Sequence, residues 1–162
     1  MISTFIAEYY GVVQAILVVA AIACIILAGI LVRVRRGRCL AAVLTGIGIA
    51  VVLALTLAPD VEPSPAVECT FQSVTPLGDE RNIALFFLPA LFAFIAVRRP
   101  VVVLLAGIGL SALIELVQSS VLIIGRRCDI DDWLANIIGG LIGVLIGLAA
   151  LWLGRRGLTG DR

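Results

Sequence analysis

The sequence predicts an all-α membrane protein: a bundle of five transmembrane helices with the N-terminus outside and the C-terminus cytoplasmic. Three observations predict it. Of the 162 residues, 62% are hydrophobic and only 14% are charged, whereas soluble domains run at roughly 45–50% apolar with glycine included and about 25% charged. Mean hydropathy is +1.18. The apolar residues gather into five long stretches separated by short runs rich in Arg, Asp, Glu and Pro. This composition excludes a soluble globular domain, a disordered chain and a disulfide-stapled miniprotein. The formal net charge is +1, so no bulk electrostatic attraction points to nucleic acid. The chain has no His, which removes the commonest general base and the commonest neutral metal ligand.

A span needs about 20 apolar residues to cross roughly 30 Å of hydrocarbon. The first candidate runs from Gly11 to Val32, interrupted only by Gln14. No basic residue precedes it and Arg33, Arg35, Arg36 and Arg38 follow it, so it is expected to stay as a helix rather than act as a cleaved signal peptide. The second runs from Leu40 to Ala58, where Pro59 ends it. The third, Ile83 to Val97, has only 15 residues and holds Pro89; as a helix it is about 22 Å long. It either tilts little, thins the bilayer locally, or starts earlier through Asn82. The fourth runs from Val101 to about Ile124 and the fifth from Trp133 to Leu153. None shows the ten-residue alternation of a transmembrane β-strand. The 24-residue linker 59–82, with Pro59, Pro63, Pro65 and Pro76, is longer than an idle connection needs to be and is expected to fold over the outer surface. The chain divides into a first helix with its Arg loop (1–39), a membrane domain (40–152) and a short tail (153–162).

Orientation follows from the basic residues, all 12 of which are Arg. Arg33, Arg35, Arg36, Arg38, Arg98, Arg99, Arg155, Arg156 and Arg162 fall on one side, leaving Arg81, Arg126 and Arg127 for the other. By the positive-inside rule the nine-Arg side is cytoplasmic. The acids Glu8, Asp60, Glu62, Glu68, Asp79, Glu80, Asp129, Asp131 and Asp132 then face out. Cys24 lies in the first span and Cys39 at the cytoplasmic end of the second, whereas Cys69 and Cys128 fall in outer loops. Disulfides form on the oxidising side of a membrane, so a Cys69–Cys128 bridge is expected, tying the long linker to the fourth-to-fifth hairpin.

Polar residues at membrane depth are costly, roughly 2.5–3.5 kcal/mol for a central charge, and mark function by default. The fourth span carries Ser111, Glu115 and Gln118, whose spacings of four and three put them on one helix face. The fifth opens with Asp131, Asp132 and Trp133 and carries Asn136 one turn deeper, followed by Gly139, Gly140, Gly143 and Gly147. Small residues every three or four positions let helices approach closely. The short connection makes these two spans antiparallel neighbours. Packing stripe against stripe is expected to bring Glu115 and Gln118 near Asp132 and Asn136, with Arg126 or Arg127 folding over the site.

The ordered series Glu115-x-x-Gln118, Gly125-Arg126-x-x-Asp129-x-x-Asp132, Asn136 and Gly139 resembles the signature of the VanZ-like family. Asp79-x-x-Asn82, leading into a Phe-rich span with Phe87 and Pro89, resembles that family's Asn-to-Pro segment. The family usually carries Gly after a Pro-Leu pair, whereas here Ala90 and Leu91 follow Pro89. The resemblance covers about residues 40–152. It implies a bacterial, multi-pass plasma-membrane protein of the kind associated with low-level resistance to teicoplanin-type glycopeptide antibiotics. It implies no defined reaction.

Each polar residue also has a plainer role. Glu115 either pairs with Arg126 or Arg127 or, protonated, bonds Gln118. Asp129, Asp131 and Asp132 suit a helix N-terminus, where acids are favoured. Trp133 suits the membrane interface. Two functional classes fit the residues. One is a recognition site, in which Asn82, Glu115, Gln118, Arg126, Asp129, Asp132 and Asn136 bind the headgroup of an envelope lipid or a lipid-linked glycan. The other is an intramembrane enzyme with Glu115 and Asp132 as acid and base; it works on a lipid phosphate or lipid-linked sugar, with or without Mg²⁺ on Glu115, Asp129 and Asp132. No cofactor is otherwise implied.

Overall fold

A computed structural model describes residues 10–59, 80–121 and 129–157. Five helices account for almost all of them: α1 (Tyr10–Arg33), α2 (Gly37–Thr56), α3 (Glu80–Val97), α4 (Pro100–Ser120) and α5 (Ile130–Gly157). All five are long and apolar enough to cross a membrane, and no strand forms among the described residues. The chain is a multi-pass, all-helical membrane protein. Its outward faces are apolar, with Ile16, Val19, Val101, Leu105 and Leu116 all exposed. In water so much apolar surface would be a liability. Against lipid it is the expected finish, since every helix satisfies its own backbone hydrogen bonds.

The helix ends differ from the hydropathy boundaries for identifiable reasons. α3 begins at Glu80, three residues before the apolar run, and has 18 residues, about 27 Å. Its first turn is polar, and an acid there suits the positive end of the helix dipole. Of the three options for this segment, the earlier start holds. α2 begins at Gly37 and stops at Thr56, two residues short of Ala58, where the approach to Pro59 disfavours helix. α4 stops at Ser120 rather than near Ile124, and α5 extends from Ile130 to Gly157.

The connections at the arginine-rich end are tight. A carbon added at Gly37 would overlap the carbonyl of Leu31, so the α1–α2 turn closes only because that position lacks a side chain. Between α3 and α4, Arg98 takes φ 59°, a left-handed conformation that ends α3, and Pro100 opens α4 at its first position. Arg99, before the proline, is extended, as the ring of a following Pro requires. Arg38 Nε donates to the carbonyl of Ala96 at 2.9 Å, placing a cation at the negative end of α3.

The centre of the bundle is α3. Its Phe86, Phe87, Leu91, Phe92, Phe94 and Ile95 are buried. One cluster joins Phe87, Leu91, Phe92 and Ile95 to Ala28, Leu31 and Ala41 of α1 and α2. A second joins Phe86 to Val52 and Ile114, and a third joins Phe94 to Val103 and Val144. The broadest interface is between α3 and α5.

That interface corrects one expectation. The glycines of α5 pack on α3, not on α4. Gly139 meets the backbone of Ile83, Gly143 that of Phe87 and Leu91, and Gly147 the ring of Phe94. The contacts ascend together along both chains, so α3 and α5 run parallel. The reason is steric: without side chains at Gly139 and Gly143 the α3 backbone comes into direct contact with α5, and Gly147 leaves room for the Phe94 ring. Gly140, off the stripe, has nothing within 4 Å of an added carbon.

Candidate functional site

The polar face of α4 lies toward the end of the bundle opposite the arginine turns. Ser111, Glu115 and Gln118 are 0%, 8% and 7% exposed, so the face predicted by their spacing is buried. Its members do not converge on one point; each holds a different neighbour. Asn136 Nδ2 donates to Ser111 Oγ at 2.9 Å, tying α5 to α4 at the deepest level. The backbone N–H of Asp129 donates to Glu115 Oε2 at 2.9 Å, fixing the start of α5 over the end of α4. Gln118 Nε2 donates to the carbonyl of Thr56 at 2.8 Å. Thr56 is the last residue of α2, and a carbonyl there has no partner within its own helix. The Gln118 amide supplies one.

Glu115 and Gln118 thus each make a longer-range bond to a backbone group, at the start of α5 and the end of α2 respectively. At the start of α5, Asp129 Oδ1 accepts from the N–H of Asp131 at 2.9 Å, a local turn that shapes the chain before the helix. Trp133 directs its indole N–H at the Ile108 carbonyl across a long 3.5 Å. Asp132 is half-buried in the same first turn, and Asn82 is half-buried in the first turn of α3; both are engaged in interactions. Asp131 Oδ2 is buried with no hydrogen-bond partner.

Glu115, Asp129 and Trp133, with Ala112, Leu116, Ser119 and Ile130, wall an open groove of about 340 Å³ between α4 and α5. Two carboxylates and a Trp thus face a recess on otherwise lipid-facing helices. A groove of this size with a few polar groups suits part of a small ligand. Among the described residues no group of three or more His, Cys, Asp or Glu gathers as a metal would require. Arg126, Arg127, Cys69 and Cys128 lie outside the described residues, so the expected arginine cover and the Cys69–Cys128 bridge fall there too. Cys24 and Cys39 are free thiols.

Comparison of the sequence with family models finds the VanZ/LLP1 family over residues 58–152. The chain belongs to the VanZ/LLP1 family. Comparisons with curated proteins and with solved structures return no match. The VanZ/LLP1 match takes in α3, α4, most of α5 and every candidate residue from Asn82 to Asn136, while α1 and α2 lie before it.

Two polar contacts that tie the helices before the VanZ/LLP1 match to those within it carry structure that the sequence reading passed over. Gln14 Nε2 lies 2.9 Å from both carboxylate oxygens of Glu80, fastening α1 to the start of α3. Gln14 is the one polar interruption of the first apolar run, and a polar side chain in a span needs an interhelical partner; that was the available signal. Thr56 gave none, because its backbone carbonyl, not its side chain, meets Gln118.

Proposed function

We propose that the α4–α5 groove recognises the polar headgroup of an envelope lipid or lipid-linked glycan, and that this binding contributes to teicoplanin-type glycopeptide resistance in a bacterial plasma membrane. The carrying observation is the pair of carboxylates, Glu115 and Asp129, beside Trp133 in a recess on membrane-spanning helices. Carboxylates accept from sugar hydroxyls, a Trp ring covers a sugar face, and Arg126 or Arg127 in the adjoining loop supplies a donor for phosphate. Asp132 and Asn136 lie on α5, Asn82 on α3 and Gln118 on α4, all outside the lining of the groove itself. The reading makes the protein a binding module. Purified protein is expected to bind an undecaprenyl-linked disaccharide saturably without turning it over, with or without Mg²⁺. Absence of saturable binding would overturn the reading. Turnover would establish an intramembrane enzyme instead.

The proposal requires the groove to face outward, with the arginine turns in the cytoplasm. A reporter active only in the cytoplasm, fused after Arg162, is expected to be active, and a silent fusion would reverse the orientation. The same orientation puts Cys69 and Cys128 together on the oxidising side. Mass spectrometry of non-reduced peptides is expected to find them linked. Full labelling of both by a membrane-impermeant thiol reagent, without reductant, would rule the bridge out.

A further inference from the structure

The end of the bundle opposite the Glu115 groove is built around arginine. Arg33, Arg35, Arg36, Arg38, Arg98 and Arg99 are all exposed there. Both α2 and α4 begin there, so two helices present their positive poles at the same end. Among the described residues no acid answers them. Glu80 stands at the far end of α3 from Arg98, and Asp129, Asp131 and Asp132 stand at the start of α5, away from its arginine end. Glu115 lies about 24 Å along α4 from Arg99. The charge itself is what any cytoplasmic loop collects; the placement of these arginines is not. Arg38 Nε donates to the Ala96 carbonyl at 2.9 Å, holding its guanidinium against α3. Arg98 takes φ 59°, where Gly or Asn is the usual occupant.

Three of these arginines rim an apolar cleft of about 240 Å³. Near the polar end α2 and α4 are held together by the Gln118–Thr56 bond and by Val52, Phe86 and Ile114. Toward the arginine end each packs on α3 but scarcely on the other. The gap is floored by α3 from Phe86 to Val97, about 16 Å. The exposed Val97 and Val102 stand in its wall, so it opens at the arginine end and sideways into the apolar layer. Arg98 directly follows Val97, and Arg99 is separated from Val102 only by Pro100 and Val101. Arg38 reaches the carbonyl of Ala96, the residue before Val97. On α2, Arg38 also shares a helix face with Thr45, Ile49 and Val52 of the wall, at successive spacings of seven, four and three.

We propose that this end of the bundle is a site for an anionic phospholipid, with its phosphodiester on Arg38, Arg98 and Arg99 and one acyl chain in the cleft. The charge at the mouth decides what fills the apolar space. An uncharged chain leaves the guanidiniums unmatched, and a free phosphate leaves the cleft empty. Every basic residue in the chain is Arg and none is Lys, and the guanidinium fork matches phosphate oxygens two at a time. A zwitterionic headgroup brings its own cation among arginines with no carboxylate to receive it. The open side of the cleft leaves the second acyl chain in the bilayer.

The test uses purified full-length protein in phosphatidylcholine nanodiscs that contain a small fraction of phosphatidylglycerol with a diazirine in one acyl chain. Both leaflets are present, so the result does not depend on orientation. Photolabelling is expected to saturate, to map to cleft residues such as Ile49, Ala93 and Val103, and to fall when unlabelled phosphatidylglycerol is added. The same diazirine on phosphatidylcholine should not saturate, and inorganic phosphate should not compete. Arg98→Gly puts glycine at the left-handed position, so thermal stability should hold while labelling falls about fivefold, the worth of one cation at a membrane surface. Arg38→Gln and Arg99→Gln should lower it likewise. Gly107→Leu, at a lining position where an added carbon meets nothing within 4 Å, should displace the chain and lower cleft labelling at least as far. Arg155→Gln should change nothing, because Arg155 follows Gly154, which faces Val32 of α1 and not the cleft. The proposal is overturned by equal labelling from the phosphatidylcholine probe, by competition from inorganic phosphate, by labelling that survives Arg98→Gly and Arg38→Gln, or by an equal loss in Arg155→Gln, which would mean attraction to a charged surface without a site.

Discussion

Gly143→Val is expected to abolish the fold. A Cβ at Gly143 would lie 2.5 Å from the carbonyl oxygen of Phe87 and 3.0 Å from the nitrogen of Leu91. Those are backbone atoms of a helix, so no side-chain rotation relieves the overlap. The whole of α5 must move off α3, and close-packed interiors resist that. Overpacking by extra methylenes typically costs about 1–3 kcal/mol; displacing the two most extensively packed helices costs more. Gly139→Val, which drives a carbon into the Ile83 backbone, should behave alike. The measurement is the fraction recovered as a monodisperse species after solubilisation, expected to fall at least about tenfold, a loss of roughly 1.4 kcal/mol or more. Gly109→Ala is the control: an added carbon there meets nothing within 4 Å, and alanine favours helix by about 1 kcal/mol over glycine. Wild-type recovery of Gly143→Val would mean that α3 and α5 do not pack as described.

The same glycines show where reading the sequence stops. Their spacing announces a close helix contact, and that contact exists. It does not announce the partner. Inside lipid, one apolar helix face is about as good a neighbour as another, since no hydrophobic effect selects between them. The choice of α3 over α4 rests on shape, an α3 backbone and one Phe94 ring fitted against a glycine stripe, and shape complementarity between distant segments is not written as a local pattern. The spans themselves are legible because transfer from water to hydrocarbon is a strong local signal; their ends shift where a polar turn such as Glu80-Arg81-Asn82 extends a helix beyond its apolar run, or where a helix stops short of it, as at Thr56 and Ser120.

The candidate site divides along the same line. One face for Ser111, Glu115 and Gln118 follows from helical geometry and is what the bundle shows. Which group each of them meets depends on helix crossings. Gln118 meets a carbonyl at the end of α2, and Glu115 meets an N–H at the start of α5. Backbone groups carry no residue signature, so neither contact could be foreseen. Gln14 and Glu80 were visible as polar exceptions, yet their pairing across 66 positions needed the fold. The polar residues of α4 are thus both the seam of the bundle and one wall of its groove, and an experiment has to separate those two roles.

Glu115→Gln does so. Glutamine keeps the length of the side chain and an oxygen that accepts from the Asp129 N–H, now 2.9 Å from Glu115 Oε2. It removes the ionisable group from the wall of the groove. The seam should therefore hold, with protein level and thermal stability close to wild type. Glu115→Leu, by contrast, leaves the Asp129 N–H without its acceptor and should cost about 1–3 kcal/mol of stability. If the groove binds a headgroup, Glu115→Gln should weaken binding of the lipid-linked disaccharide by about tenfold to a hundredfold, the worth of a hydrogen bond to a charged group. Asp132→Asn and Arg126→Gln should weaken it likewise, and a double variant should add little once the headgroup has lost its anchor. The readouts are a binding isotherm on purified protein and, in cells, sensitivity to teicoplanin at equal protein level. If all three substitutions fold normally and leave both readouts intact, the carboxylates serve packing alone, and the polar face of α4 is a seam between helices with no ligand of its own.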